Sequence, residues 1–134
     1  MKNPTVRILL GIGFAGAAAR AFAGDIYVVC APGVSVTAAD VRSIYLGEKQ
    51  FAAGVKLRLA DNAAVQSAFL EKVLAMDSAK YTAVWTKKSF RDGANPPVVK
   101  NSDTEILEYI KRTPGACGYI SSPPSADATI AAKF

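Results

Sequence analysis

The chain has 134 residues, 51% of them hydrophobic and 20% charged, with two cysteines and no histidine. This composition fits one compact domain with enough apolar material to close a core, and leaves little room for a disordered tail or a fibrous repeat. Without histidine, imidazole-based catalysis and the commonest zinc ligand are excluded, and two cysteines cannot form a four-thiolate metal site.

The formal charge is +5, but Lys2, Arg7 and Arg20 lie in the first 23 residues. Without them the 16 basic side chains fall to 13 against 11 acids. A surplus of that size gives no reason to expect a nucleic-acid partner.

Residues 1–23 have the three parts of a secretory signal peptide: charged Lys2 and Arg7, an apolar run over residues 8–19, and Ala21-Phe22-Ala23 as a small-residue cleavage site. A helix through the run would span about 18 Å against a hydrocarbon core of about 30 Å, too short for a comfortable anchor. An uncleaved amphipathic anchor is disfavoured because the run lacks a polar helical face. Cleavage after Ala23 and residence in the periplasm are the expectation. In that oxidising compartment Cys30 and Cys117 either join as a disulfide or remain two small buried side chains. The disulfide would close a loop that stabilises by about 4–5 kcal/mol on the chain-entropy model.

Residues 24–134 read as a single domain. Residues 25–31, rich in β-branched and aromatic side chains and stopped by Pro32-Gly33, predict a buried strand. Thr37 as N-cap, with Asp40 three residues on, predicts a helix carrying Val41, Ile44 and Tyr45 inward and ending at Gly47. Alternation over residues 55–60 predicts a half-buried strand. Asp61-Asn62 then reads as the cap of a helix with Val65, Phe69, Leu70, Val73, Leu74 and Met76 at helical spacing.

Asp77-Ser78 opens another helix, with Tyr81, Val84, Trp85 and Lys88 at spacings of three and four. Residues 93–99, with Pro96-Pro97, read as an irregular connection. Ser102 or Asp103 caps a helix with Ile106, Leu107 and Ile110 inward, ended by Pro114-Gly115. Residues 116–121 form the last strong strand, and residues 126–134 are either an edge strand or a fraying end. The order predicts an α/β fold: a small mixed sheet of three or four strands packed by helices, with a crossover.

No chemistry of catalysis stands out. Glu105 and Glu108 lie on an ordinary solvated face, and Ser35 and Ser121-Ser122 have no histidine partner, so no enzyme is expected. The glycines form no phosphate or dinucleotide cradle, and no cofactor or metal is implied. Lys87, Lys88 and Arg91 fit a helix end whose dipole favours cations. What remains is anion capture by backbone amides at a helix start, best placed at residues 59–64, where Ala63 and Ala64 let a ligand approach. Asp61 there could accept from a protonated anion.

The string Val41-Arg42-Ser43-Ile44-Tyr45-Leu46-Gly47, the helix around Phe69 and Leu74, Trp85 with Phe90, and Pro114-Gly115-Ala116-Cys117-Gly118-Tyr119-Ile120 together resemble the phosphate ABC-transporter substrate-binding protein family. They are closest to its small, single-lobe relatives of the periplasmic binding protein type II fold. In that family an oxyanion is held between two lobes by serine, threonine and helix-start amides, with an arginine and an aspartate. The resemblance implies that Arg58 and Asp61 match those two, while Asn62-Ala63-Ala64 replaces a serine- and glycine-rich loop.

The expected function is an exported binding protein for phosphate or another small anion, with candidate contacts at Arg58, Asp61, Asn62, Ala63, Ala64 and Ser35. A homodimer or a membrane transporter would supply the second wall of the cleft. The alternative is a periplasmic interaction or sensory accessory domain that has lost its ligand.

Overall fold

The computed structural model describes residues 24–125 and 128–134, so the segment expected to be a signal peptide lies outside the described residues. A five-stranded mixed sheet forms the centre. Its strands are β1 (Tyr27–Cys30), β4 (Arg58–Asn62), β5 (Val98–Lys100), β6 (Ala116–Ile120) and β7 (Thr129–Lys133), in the order β5-β4-β6-β1-β7. Strand β4 runs parallel to both β5 and β6, whereas β1 runs antiparallel to β6 and β7. Helices α1 (Ala38–Tyr45), α2 (Gln66–Phe69), α3 (Ser78–Asp92) and α4 (Asp103–Arg112) pack around it, and a small hairpin pairs β2 (Phe51–Ala52) with β3 (Val55–Lys56). The α/β class with a mixed sheet packed by helices is the one the sequence predicts.

Local sequence explains most of these elements. The Asp40 carboxylate accepts from both the N–H and the hydroxyl of Thr37, fixing the start of α1. Asp77 accepts from the Lys80 amide to start α3, and Gly93, at φ +65°, ends that helix in the left-handed region. Ser102 accepts from the Glu105 amide to start α4. Gly118 lets α4 lie directly on β6, since a Cβ there would come within 2.8 Å of the Ile106 side chain.

Three expectations change. The alternating run over residues 55–60 is divided, Val55–Lys56 closing the hairpin and β4 beginning only at Arg58. Asp61 and Asn62 are the last residues of that strand and are buried, so they do not cap a helix; α2 starts at Gln66 and continues as a π-helical turn, Leu70–Leu74. The connection expected over residues 93–99 ends in a short edge strand, because the Val98 and Val99 backbone pairs with β4 after the two prolines. The carboxyl terminus, left open between strand and fray, is strand β7 on the far edge.

Cys30 and Cys117 are joined. They face each other in the antiparallel register of β1 and β6, with Cα atoms 4.1 Å apart, and both are buried. The Ala31 amide bonds the Ala116 carbonyl at the next position, so the cysteines occupy the close, non-hydrogen-bonded kind of pair. The bridge spans 87 positions and joins the first strand to the sixth. Replacing both cysteines with alanine is expected to lower stability by about 4 kcal/mol, read as a lower urea midpoint with a steeper slope, because the unfolded chain without the crosslink exposes more surface. Thiol labelling of the unreduced, unfolded chain is expected to find no reactive sulfur.

Candidate functional site

Strand β4 lies inside the sheet between β5 and β6, and the sequence-predicted site is divided between places along it. Arg58, at its first position, is exposed and lines a groove on one side of the molecule; Ala63 and Ala64, just past its last position, line a hollow on the other. A strand of this length separates those ends by roughly 13 Å. Asp61 and Asn62 point into the interior between them. Ser35 is exposed on the loop between β1 and α1, and lines neither cavity. The six candidate residues therefore do not converge on one ligand.

Asp61 is 3% exposed. Its carboxylate accepts from the Tyr119 hydroxyl at 2.9 Å and from the Tyr81 hydroxyl at 3.0 and 3.2 Å, tying β4 to β6 and to α3. Among the described residues no cation pairs with it. Burial raises its pKa to about 6, with the hydrogen bonds from Tyr119, Tyr81 and Gln66 pulling the other way. Desolvation and the nearby Asp61 charge raise both tyrosine hydroxyls well above their usual range, which keeps them as donors. Around this group Phe69 stacks on Tyr119 with ring centroids 3.8 Å apart, and Tyr45 meets both rings edge-on.

Asn62 is fully buried and organises the carboxyl end of the parallel strands. Its Nδ2 donates to Asp103 Oδ1 at 2.9 Å and to the Tyr119 carbonyl at 3.1 Å, while its Oδ1 accepts from the Ala64 amide. The Ser121 amide and hydroxyl also donate to the Asp103 carboxylate, at 3.0 to 3.2 Å. One backbone amide, one hydroxyl and one carboxamide thus hold a carboxylate between the ends of β4 and β6. After β4 the chain leaves toward β5, and after β6 it leaves toward the opposite edge, so this is a topological switch point. In open α/β sheets ligands bind beyond the strand carboxyl ends at such a point.

The hollow next to it has a volume of about 260 Å³ and is lined by Ala63, Ala64, Val65, Ser67, Ala68, Glu71 and Lys72. The amides of residues 63–65 already have partners: the Lys100 carbonyl, the Asn62 side chain and the Asn62 carbonyl. The first turn of α2 follows, and Val65 at its N-cap offers no capping side chain to it. Lys72 bonds the Gly24 carbonyl, fixing its stem along one rim. Among the described residues no cluster of three or more cysteines and carboxylates could hold a metal.

Sequence reasoning grouped Arg58, Asp61 and the two alanines around one anion, whereas the structure separates them, and it missed the groups that bond Asp61 and Asn62. Tyr81 and Tyr119 read as ordinary core residues, Asp103 as a helix cap and Ser121 as an unpartnered hydroxyl. Each acquires its role from a contact 18 to 58 positions away in sequence, and no local pattern carries such a signal.

A buried acid with a folded pKa near 6 and an ordinary value near 3.8 binds more protons folded than unfolded. Its contribution is present in full below about pH 4 and is lost as pH rises through 6, a change of about 3 kcal/mol. Asp61→Asn is expected to flatten that limb of the stability profile in urea titrations between pH 4 and 7. Asp61→Ala, which leaves two buried hydroxyls without an acceptor, is expected to fall about 2–4 kcal/mol below the asparagine variant.

No family model matches the chain, and no curated protein matches it in sequence. In three dimensions it is similar to an ABC-type phosphate transport receptor from Vibrio cholerae, with a TM-score of 0.52 and 16% identity over 80% of this chain. The match spans 46% of the receptor, less than half its length. The likeness extends to the fold: an α/β domain with a mixed sheet packed by helices, built as in a phosphate-receptor structure.

Proposed function

We propose that the chain is an exported, non-catalytic binding domain that takes a small oxyanion such as phosphate beyond the carboxyl end of β4. The observation that carries this reading is the hollow of about 260 Å³ at Ala63 and Ala64, opening beside a switch point whose donors already hold a carboxylate. Small side chains there allow close approach, and Ser67 and Ala68 of the uncapped first turn of α2 line the hollow. The fold shared with a phosphate transport receptor supports the same class of ligand. Export rests on the signal-like segment over residues 1–23, and the buried disulfide fits an oxidising compartment. A homodimer or a membrane transporter subunit would close the open side and strengthen otherwise solvent-weakened hydrogen bonds.

A second reading is favoured by Asp103. Because the chain's own carboxylate fills the Ser121 and Asn62 donors, the domain would serve as a periplasmic interaction or sensory module that keeps the fold without the ligand.

Calorimetric titration with phosphate and sulfate separates the two. The first reading expects heat and a raised melting temperature at millimolar anion, both abolished by Ala64→Glu, which sets a negative charge at the mouth of the hollow. Binding acquired only by Asp103→Ala would establish the second reading. Heat from neither protein would contradict an anion site at this end of the sheet.

A further inference from the structure

We propose that the groove at the amino-terminal end of β4 is a separate site for a small organic anion, one that joins a carboxylate or phosphate group to an apolar body. It lies at the opposite end of the strand from the oxyanion hollow and does not depend on it. The groove has a volume of about 330 Å³, and Lys49, Lys56 and Arg58 line it against a single acid, Asp92. Asp92 sits 4.0 Å from Lys88 and Lys49 sits 3.1 Å from Asp40, so these charges are partly balanced. Arg58 and Lys56 have no carboxylate partner among the described residues. Two uncompensated cations at a concave surface with low-dielectric walls concentrate positive potential and favour an anionic occupant.

The walls select what that anion carries. Trp85, Leu59, Pro96 and Tyr109 supply apolar surface to the same groove. Trp85 is held rigidly: its indole N–H donates to the Tyr45 carbonyl at 3.0 Å, and its ring lies against Gly47 so closely that a Cβ there would stand 3.0 Å from it. Arg58 and Tyr109 line the groove together, and the Arg58 charge opposes the rise that burial gives the Tyr109 pKa. Fixed apolar walls with a few convergent polar groups are the usual makeup of a small-molecule site. An inorganic ion would use the cations and leave the walls wet, whereas an organic anion would use both.

The chain has one tryptophan, and it is in this groove, so its emission reports occupancy there. The test titrates the purified chain with phenyl phosphate, with inorganic phosphate and with phosphatidylglycerol vesicles, following Trp85 fluorescence. A saturable change is expected with phenyl phosphate, at least tenfold tighter than with inorganic phosphate. It should weaken tenfold or more in the double variant Lys56→Ala, Arg58→Ala, and persist in Ala64→Glu. Both replaced side chains are exposed, and an unchanged melting temperature would show the double variant folded. No emission change at millimolar phenyl phosphate, or an equal response in the double variant, would overturn the proposal. Equal affinity for inorganic phosphate would overturn the requirement for an apolar body. A response to vesicles alone would reassign the groove to a lipid headgroup and overturn a soluble ligand.

Discussion

A carboxylate sealed inside the domain, bonded by two tyrosine hydroxyls and, among the described residues, by no cation, is the constraint around which the other parts are arranged. Asp61 belongs to β4, Tyr119 to its parallel neighbour β6 at the middle of the sheet and Tyr81 to α3, so three elements meet at one acid. Leaving such a group unpaired would cost far more than the bonds themselves contribute. The geometry of Tyr81 and Tyr119 is therefore fixed by need, and Phe69 and Tyr45 pack on the Tyr119 ring and on each other. With both its oxygens engaged inside the core, Asp61 is a structural tie and is poorly placed to touch a ligand.

This arrangement separates the two ends of β4. At the carboxyl end Asn62 gathers Asp103, Ser121 and the following turn into a network that leaves a small hollow beside Ala63 and Ala64. At the amino end Arg58 emerges next to the hairpin lysine Lys56, above a wall formed by Trp85. The aspartate and arginine that the family resemblance brings together on one anion are thus kept apart, and the ends of β4 carry two concavities of different character. The hollow is small and lined by three alanines with Val65, Ser67, Glu71 and Lys72. The groove is larger, cationic and part apolar.

Much of this architecture is written in local sequence. The caps at Thr37, Asp77 and Ser102, the stop at Gly93 and the buried runs of β1 and β6 follow from side chains acting on their own backbone. The exit of β4 was less legible. Asp61-Asn62 ahead of an apolar-periodic segment has the residue types of a helix cap, and only pairing with β5 and β6 shows that both side chains turn inward. The proline-rich approach to β5 likewise hid a strand whose existence depends on a neighbour nearly 40 residues earlier. The cysteine pair was legible as a possibility, and register alone converted it into a bridge. Site residues were harder still, because Tyr81, Tyr119, Asp103 and Ser121 have ordinary local explanations and gain their roles only through distant contacts.

The buried acid can be observed directly. Carbon-13 chemical shifts of the Asp61 carboxyl, followed from pH 3 to pH 8 in the folded chain, report its own titration without reference to stability. A midpoint near 6 is expected, with the tyrosine hydroxyls of residues 81 and 119 remaining protonated throughout. A midpoint near 4, the value of a solvated aspartate, would mean that water or a cation reaches this carboxylate, and that β4 is not organised around a sealed acid.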